Sequence, residues 1–226
     1  MNYCMCGRYT LINLADFVDV FPWIRPLAQE YPPRFNVAPS QLAPVVANRP
    51  EPQLELFKWG LVPSWAKDAA IGNRMINARA ETLMEKPSFR TALKRRRCLV
   101  PADGFYEWKL NPDGKTRTPM RMRLKTGKSF AFAGLWEHWH SPDGSELLTY
   151  TIVTAEPNEL VRDIHNRMPV VLTGEAAREW ITPGEADPAK MHGILKTFPA
   201  EQMRADAVSK NVNNPANDSP ACIESM

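Results

Sequence analysis

The chain has 226 residues, with 28 Lys and Arg against 25 Asp and Glu and 44% hydrophobic residues. This composition is typical of a globular protein and excludes disorder over the whole chain. No apolar run is long enough to cross a bilayer, and no basic start with an apolar core marks a signal peptide. We therefore expect a cytoplasmic protein with no membrane contact.

The predicted elements are short, because 21 prolines interrupt the chain. In chain order, they are a helix over 14–21, strands over 45–47 and 54–59, a helix over 88–96, strands over 97–100, 105–110, 120–125, 130–136 and 150–154, and helices over 159–164, 175–180 and 188–196. Turn residues predict hairpins at 111–114, 126–127 and 142–144.

Strands dominate the middle of the chain and helices flank it. This order predicts an α+β fold, a mostly antiparallel sheet that is curled or closed into a barrel, with helices packed outside. No internal repeat or low-complexity linker is present, so we expect a single domain over residues 1–226.

The net charge of +3 is unevenly distributed, since residues 90–128 carry a net +9 and the remainder −6. This segment either faces a polyanion or is a solvated basic surface. Strict alternation over 120–125 places Arg121, Arg123 and Lys125 on one strand face, toward phosphates or only water. The basic run 94–97 has the same two interpretations.

The cysteines do not form a disulfide framework. They are Cys4, Cys6, Cys98 and Cys222. Cys98 lies in an apolar run and is expected to be a buried small hydrophobe. A zinc site from Cys4, Cys6, His138 and His140 is a minor alternative, because the spacing matches no familiar zinc motif. We predict no metal and no cofactor.

Two polar residues in apolar or turn-rich segments are candidates for chemistry. Glu107 lies between Tyr106 and Trp108, so its carboxyl is either exposed on a strand or buried with a raised pKa. Only the buried form suits general acid–base catalysis. His165 follows a predicted helix, where a histidine either caps the helix or serves catalysis.

Seven motifs occur in order along the chain. They are Met5-Cys6-Gly7-Arg8-Tyr9, Arg34-Phe35-Asn36-Val37-Ala38-Pro39, Trp59-Gly60-Leu61-Val62-Pro63-Ser64-Trp65, Ile76-Asn77-Ala78-Arg79-Ala80-Glu81, Asp103-Gly104-Phe105-Tyr106-Glu107-Trp108, Ile164-His165-Asn166-Arg167-Met168-Pro169, and Val208-Ser209 with Asn213-Asn214 and Asn217-Asp218-Ser219-Pro220. Each motif alone is modest, but the ordered set covers almost the whole chain, is specific, and closely resembles the SRAP (SOS response-associated peptidase) family.

The resemblance implies a DNA damage response protein that senses abasic sites in single-stranded DNA and crosslinks itself to the lesion, thereby shielding it. It implies a monomer that is associated with the nucleoid when bound to DNA. The chemistry of an N-terminal cysteine agrees with this. Its α-amine, with an ordinary pKa of about 7.7–8.0, can form a Schiff base with the abasic aldehyde. Its thiol can then close a thiazolidine ring.

The resemblance also implies individual roles. Cys6 is the nucleophile, Glu107 the general acid–base, His165 the group that assists opening of the sugar ring, and Asn77 a hydrogen-bond partner of the crosslink. The implied DNA contacts are phosphates at Arg8, Arg79 and Thr154, and bases at Pro39 and Trp65. The structural alternatives are a buried turn residue for Asn77, a core aromatic for Trp65, and for Arg79 an ion pair with Glu81 or Glu107.

One feature departs from the family pattern. Family members begin Met-Cys-Gly-Arg, whereas here residues 1–4 precede Met5 and Cys6. We expect that Met5 is the initiator or that proteolysis exposes the amine of Cys6, so that residues 1–4 are an extension.

Two other functions remain open. A thiol peptidase would use Cys6 as nucleophile, His165 as base and Glu107 or Asn77 to orient the base, and it could process its own N-terminus. A non-covalent single-strand-binding module would use the basic strand and Trp65. A protein that forms a Schiff base also has the chemical capacity for AP-lyase activity and for reversal of its own crosslink.

Overall fold

A computed structural model describes residues 6–141 and 143–226. It confirms the α+β class. The strands are β1 (Tyr9–Leu11), β2 (Arg34–Val37), β3 (Leu42–Ala47), β4 (Leu54–Trp59), β5 (Asn77–Arg79), β6 (Arg97–Ala102), β7 (Gly104–Leu110), β8 (Arg117–Leu124), β9 (Phe130–His140), β10 (Glu146–Ala155), β11 (Met168–Pro169), β12 (Val171–Leu172) and β13 (Met203–Ala207). The α-helices are α1 (Leu14–Val20), α2 (Pro87–Arg95), α3 (Glu159–Arg162), α4 (Gly174–Trp180) and α5 (Pro188–Ile194).

Short 3-10 helices connect several of these elements. They lie at Ala69–Arg74, Ala80–Thr82, Ala200–Gln202, Lys210–Asn213 and Pro220–Cys222. None of the helices in the described ranges is long and apolar enough to cross a membrane.

Five strands close into a barrel in the order β10, β4, β3, β6 and β9, with β9 pairing back to β10. The β4–β10 pair is parallel and the other four pairs are antiparallel. Closure satisfies the backbone groups that an open sheet leaves at its edges. The predicted curled or barrel-like sheet is therefore confirmed.

A second sheet is antiparallel throughout, in the order β13, β8, β7, β1 and β2. Its central strand, β7, carries Glu107, and its neighbour β1 begins three residues after Cys6. This sheet therefore positions two of the predicted catalytic residues.

The barrel wall is buried on both faces. In β6, Cys98 and Val100 belong to the apolar cluster that contains Tyr9 and Phe105 of the second sheet. Leu99 belongs instead to a cluster with residues of helices α1, α2, α4 and α5. Alternate residues of one strand thus contact different layers, which explains why β6 has no polar face. Cys98 is fully buried, as predicted.

One predicted hairpin is wrong. The turn at 126–127 exists, since Gly127 has a φ of 72° and its N–H donates to the Leu124 carbonyl at 3.1 Å. However, β8 pairs with β7 and β13, whereas β9 belongs to the barrel. Local turn chemistry fixes where the chain bends, but the buried faces decide which strands pair.

The alternating basic face of β8 is paired with acidic residues. Arg121 pairs with Asp103 at 2.9 Å and Arg123 pairs with Asp206 at 3.0 Å. The alternative that these two arginines face only water is therefore wrong, and a contact with phosphates stays a prediction.

The basic run 94–97 also has a structural explanation. Arg97 is fully buried, and its guanidinium donates to the carbonyls of Leu93, Lys94, Trp180, Thr182 and Gly184. Arg95 and Arg96 form ion pairs with Glu185 and Glu137. Arg97 therefore ties the end of α2 to the segment that follows α4.

Candidate functional site

A pocket of about 540 Å³ contains several of the predicted residues. It is lined by Gly7, Arg8, Pro39, Glu107, Trp108, Arg117, His165 and Asn213. Cys6 directly precedes the first of these residues. The structure thus brings together the start of β1, the middle of β7 and the segment that follows α3, which are far apart in sequence.

The backbone nitrogen of Cys6 lies 2.8 Å from Oε1 of Glu107. This contact extends the pairing of β1 with β7, in which the Tyr106 N–H donates to the Arg8 carbonyl at 3.0 Å. Cys6 is buried and has a φ of 42°, a left-handed conformation that is uncommon for a residue with a side chain. The nitrogen that the proposed chemistry requires therefore faces a carboxylate.

Glu107 is buried, with 2% of its surface exposed. Alternation along β7 places it on the same face as Phe105, whereas Tyr106 packs with Val208 and Val212 of the C-terminal segment. Burial raises the pKa of the Glu107 carboxyl above its ordinary range, and His165 and the Cys6 N–H offset this only in part. Of the two alternatives, the structure selects the buried carboxyl.

His165 lies both at the end of a helix and in the pocket, the two positions that the sequence left open. Its backbone N–H donates to the Val161 carbonyl at 2.8 Å at the end of α3. Its Nδ1 lies 3.9 Å from Oε1 of Glu107 and accepts from the Arg167 N–H at 3.2 Å. The backbone therefore terminates the helix while the imidazole lines the pocket.

Asn77 begins β5, which runs parallel to β10. Its amide nitrogen and oxygen are both buried, and neither has a hydrogen-bond partner among the residues that the structure describes. Buried polar groups in native proteins nearly always have partners, so this amide is ready to bind a ligand. Arg79, two residues further along the same strand face, is exposed.

Arg167 and Glu81 form an ion pair that the sequence reasoning missed. The Arg167 guanidinium donates to both Glu81 oxygens, at 2.8 and 2.9 Å, and to the Thr154 carbonyl at 2.6 Å. This pairing lowers the pKa of the Glu81 carboxyl. Glu81 thus has Arg167 as its hydrogen-bonded ion-pair partner, and Arg79 adds a smaller electrostatic attraction. Both members of the pair lie in the quoted motifs, but the sequence does not show that these motifs meet.

Thr154 is fully buried in β10, opposite Arg79 of β5. Its carbonyl and hydroxyl face Arg167. In this structure Thr154 therefore helps to hold Arg167, and its contact with a phosphate stays a prediction.

Arg8 is half-buried and holds the C-terminal segment. Its Nη1 donates to Oδ1 of Asn36 at 3.0 Å and to the Val212 carbonyl at 2.7 Å, and its guanidinium lies 5.9 Å from the Trp108 ring. Burial lowers the pKa of Arg8. Arg8 thus lines the pocket, but its Nη1 group already donates to Asn36 and Val212.

Four pocket residues were not predicted individually, namely Gly7, Trp108, Arg117 and Asn213. Trp108 donates from Nε1 to Oδ1 of Asn213 at 2.7 Å, and its carbonyl accepts from Arg117 at 2.8 Å. Trp108 and Asn213 lie within the quoted motifs and Arg117 lies within the basic segment. Each of the three therefore had a sequence feature that could have marked it as a candidate site residue. Their convergence depends on the C-terminal segment packing against β7, which no local pattern reports.

Pro39 and Trp65 lie in different places. Pro39 is half-buried at the pocket, whereas Trp65 is 61% exposed beside a separate groove of about 550 Å³ that Lys67 and Arg74 also line. The alternative that Trp65 is a core aromatic is therefore wrong. An exposed tryptophan flanked by cations is suited to stacking on a nucleobase.

The alternative zinc site is not formed as expected. Cys4 lies outside the described residues, and Cys6 contacts Glu107. His138 and His140 group instead with Glu146, at the far end of the β9–β10 pair.

Comparisons with known proteins agree with the geometry. A model of the family described as SOS response associated peptidase (SRAP) matches residues 5–215. The chain is 50% identical to the abasic site processing protein YoqW of Bacillus subtilis (strain 168), over 98% of this chain and 100% of that protein. It is 33% identical to the abasic site processing protein HMCES of Pongo abelii, over 86% of this chain and 65% of that protein. A crystal structure of a protein from Bacteroides thetaiotaomicron superposes with a TM-score of 0.84 at 27% identity, over 98% of this chain and 100% of that one.

Proposed function

The chain belongs to the SRAP family, and we propose that it recognises abasic sites in single-stranded DNA and bonds covalently to them through Cys6. The observation that carries this proposal is the 2.8 Å contact between the Cys6 nitrogen and the buried Glu107 carboxyl, in a pocket that His165 also lines. The named relatives are abasic site processing proteins, which supports the same lesion as the substrate.

The first step requires a free amine on Cys6, so residues 1–5 must be absent from the active protein. The φ of 42° at Cys6 supports this requirement. A left-handed backbone at a residue with a Cβ costs about 1–2 kcal/mol, and φ ceases to be a constrained torsion once the preceding peptide bond is gone. Removal of residues 1–5 would release this strain and leave the amine beside Glu107.

Glu107 then moves protons. The neutral amine of Cys6 attacks the aldehyde carbon of the opened deoxyribose, and Glu107 accepts the proton that the new C–N bond releases. Glu107 passes that proton to the alkoxide oxygen, which gives the carbinolamine. It then transfers the second proton of the amine nitrogen to the hydroxyl, so that the oxygen leaves as one water and the imine forms. A buried carboxyl with a raised pKa is suited to this transfer, because it holds a proton more firmly than an ordinary glutamate and can return it as an acid.

Ring closure completes the bond. The Cys6 thiol adds across the imine, with sulfur bonding to carbon and a proton reaching nitrogen, so that a thiazolidine forms without an oxidant. In this proposal His165, whose Nδ1 lies 3.9 Å from Glu107, protonates the sugar oxygen when the deoxyribose opens. Reversal follows the same steps backward and would release the protein.

The DNA path in this proposal uses the surrounding residues. The unpartnered Asn77 amide would hydrogen-bond the crosslinked sugar, and the exposed Arg79 on the same strand face would contact a neighbouring phosphate. Trp65 would stack on a base further along the strand. Arg8 and Pro39 would contact the nucleotides next to the lesion at the pocket itself.

Lyase activity belongs to the same proposal. An imine at C1′ acidifies the C2′ protons, so strand cleavage by elimination competes with ring closure. A Cys6→Ser protein with a free amine should therefore still form an imine that borohydride traps, while losing the heat-stable crosslink. A peptidase function is not favoured, because the relatives reported above carry abasic site processing names.

The experiment uses protein whose first residue is verified as Cys6, mixed with a single-stranded oligonucleotide that contains one abasic site. A denaturing gel should show a shifted band that Cys6→Ser removes and Cys222→Ser retains. Capping the aldehyde with methoxyamine should also abolish the band. A band of equal intensity in the Cys6→Ser lane would refute the proposal.

A further inference from the structure

We propose that His138, His140 and Glu146 form a binding site for a divalent transition-metal ion of the zinc class. The three residues lie at the turn end of the β9–β10 hairpin, where His140 is in register with Glu146 and His138 with Leu148. Residues two apart on a strand share one face, so both imidazoles and the carboxylate lie on the same side of the sheet.

The ligand atoms are already close together. Nε2 of His138 lies 3.0 Å from one oxygen of Glu146, and Nε2 of His140 lies 3.1 Å from the other. One ligand atom from each residue lies within 4.8 Å of the others. A tetrahedral zinc ion with bonds of about 2.0–2.2 Å separates its ligand atoms by roughly 3.3 Å. Small side-chain movements would therefore complete the site.

The donor set selects the class of metal. Two imidazole nitrogens and one carboxylate oxygen suit zinc and its first-row neighbours, whereas calcium and magnesium prefer oxygen ligands alone. The side chains of His138, His140 and Glu146 are 38%, 61% and 59% exposed, so an ion can reach them. The fourth position stays open to water.

The site lies behind the loop that presents Trp65. Trp139, between the two histidines, points to the opposite face, and its Nε1 donates to the Ala66 carbonyl at 2.7 Å. Trp139 also packs with Val62 and Ala66 in a small apolar cluster. A metal ion would therefore join the ends of β9 and β10 on the reverse side of the strand that supports this loop. The proposal does not depend on the chemistry of Cys6.

The test is calorimetric titration of the full chain with Zn²⁺ alone. Replacing one ligand, in His138→Gln or His140→Gln, should weaken binding at this site by at least about tenfold, because loss of even an outer-shell partner typically costs roughly 10–100-fold. His192→Gln, which replaces a histidine on α5, should bind as the unchanged protein does. Any Zn²⁺ that the cysteine thiols bind is bound equally by all of these variants. The difference in Zn²⁺ binding between the variants therefore reports only the site formed by His138, His140 and Glu146.

The melting temperature is a second measurement, which shows whether the variants are folded. Without metal, the His138→Gln/His140→Gln protein should melt close to the temperature of the unchanged chain, because the two replaced side chains are 38% and 61% exposed and exposed pairs contribute little to stability. Zn²⁺ should raise the melting temperature of the unchanged chain and of His192→Gln, but not that of the double variant. Identical Zn²⁺ titrations for the double variant and the unchanged chain would overturn the proposal and leave only a hydrogen-bonded cluster.

Discussion

Glu107 shows how one residue acquires its chemistry from its surroundings. A glutamate between two aromatic residues could lie on an exposed strand, yet here it is buried beside the Cys6 nitrogen and the His165 imidazole. Burial raises its pKa, and the Cys6 N–H keeps it in contact with the nucleophile. The buried Glu107 carboxyl therefore lowers the free energy of unfolding when it is ionised, and the same burial suits it to proton transfer.

Glu107→Gln tests the proton transfer. The amide keeps the size of the side chain and can still accept from the Cys6 nitrogen, but it cannot take up or return a proton. We expect the rate of crosslink formation to fall by about 10²–10⁴-fold, the usual contribution of a general acid–base. Quenched time courses on denaturing gels measure the rate. The affinity for DNA should stay unchanged, and Glu156→Gln is the matched control.

The same substitution should stabilise the full 226-residue chain at neutral pH. Because the folded-state pKa of Glu107 lies above the ordinary 4.5, the carboxyl stabilises the fold below that value. This stability is lost as the pH rises through the folded-state pKa. Denaturant unfolding should therefore show Glu107→Gln gaining stability over the unchanged chain as the pH is raised from 4 to 8. A gain that is largest at pH 4 and vanishes at pH 8 would contradict the raised pKa.

At the scale of elements, the site depends on segments that hold each other in place. Asn36 on β2 donates from Nδ2 to the carbonyls of Val212, Asn214 and Asn217 and accepts from Arg8. Asp218 accepts from two backbone N–H groups of β2 and pairs with Arg34. The C-terminal segment, and with it Asn213 of the pocket, is therefore fixed by buried polar contacts.

Asn36→Ala should loosen this segment selectively. It removes one donor from each of three carbonyls, of which that of Val212 still accepts from Arg8 and that of Asn217 from the Cys222 thiol. The substitution therefore acts mainly on the Asn214 carbonyl, at a cost of about 1–3 kcal/mol for a group that stays buried and unsatisfied. Hydrogen exchange should accelerate over residues 208–222 while the barrel strands stay protected. Asn166→Ala, at an exposed position, should leave the exchange of both regions unchanged.

Arg97→Lys should destabilise the whole fold. A lysine cannot reach the five carbonyls that the buried guanidinium bridges, so several acceptors would lose their donors. We expect a loss of about 3–5 kcal/mol in chemical denaturation, typical of a broken buried charged network. Arg95→Lys, in an exposed ion pair with Glu185, should cost less than about 1 kcal/mol.

The elements that could be predicted are those long enough to show a hydrophobic periodicity within their own sequence. For strands β4 and β7 and helices α1 and α4, the bounds predicted from the sequence lie within two residues of the observed bounds. Strands β1, β5, β11 and β12 have only two or three residues, too few for any periodicity, and they exist because longer neighbours pair with them. The burial of Arg97 could not be predicted either, since three of its five acceptors, the carbonyls of Trp180, Thr182 and Gly184, lie more than 80 residues away.

At the scale of the whole molecule, the +9 segment is not one DNA-facing surface. Arg97 is buried, and Arg95, Arg96, Arg121 and Arg123 are paired with carboxylates. Pro39 and Arg8 lie at the pocket, whereas Trp65 lies at a second groove with Lys67 and Arg74. The candidate residues were predicted one by one from the motifs. The two grooves depend on which distant segments pack together and could not be predicted.

Trp65→Ala tests whether the second groove binds DNA. Loss of one stacked base should weaken binding to single-stranded DNA by about 1–3 kcal/mol. The stability of the protein should hardly change, because the side chain is 61% exposed. Fluorescence anisotropy with a labelled oligonucleotide measures the affinity. Leu110→Ala, at another exposed apolar residue, is the control and should bind normally.

The central claim is that the amine and thiol of Cys6 both bond to the abasic sugar. Intact mass spectrometry tests it most directly, on protein that begins at Cys6 and has reacted with single-stranded DNA containing one abasic site. The proposed chemistry predicts an adduct whose mass is the sum of the two molecules less one water. The adduct should survive without borohydride, and its peptide map should place the bond on Cys6. An adduct on a lysine, or no adduct with a verified Cys6 terminus, would contradict the account.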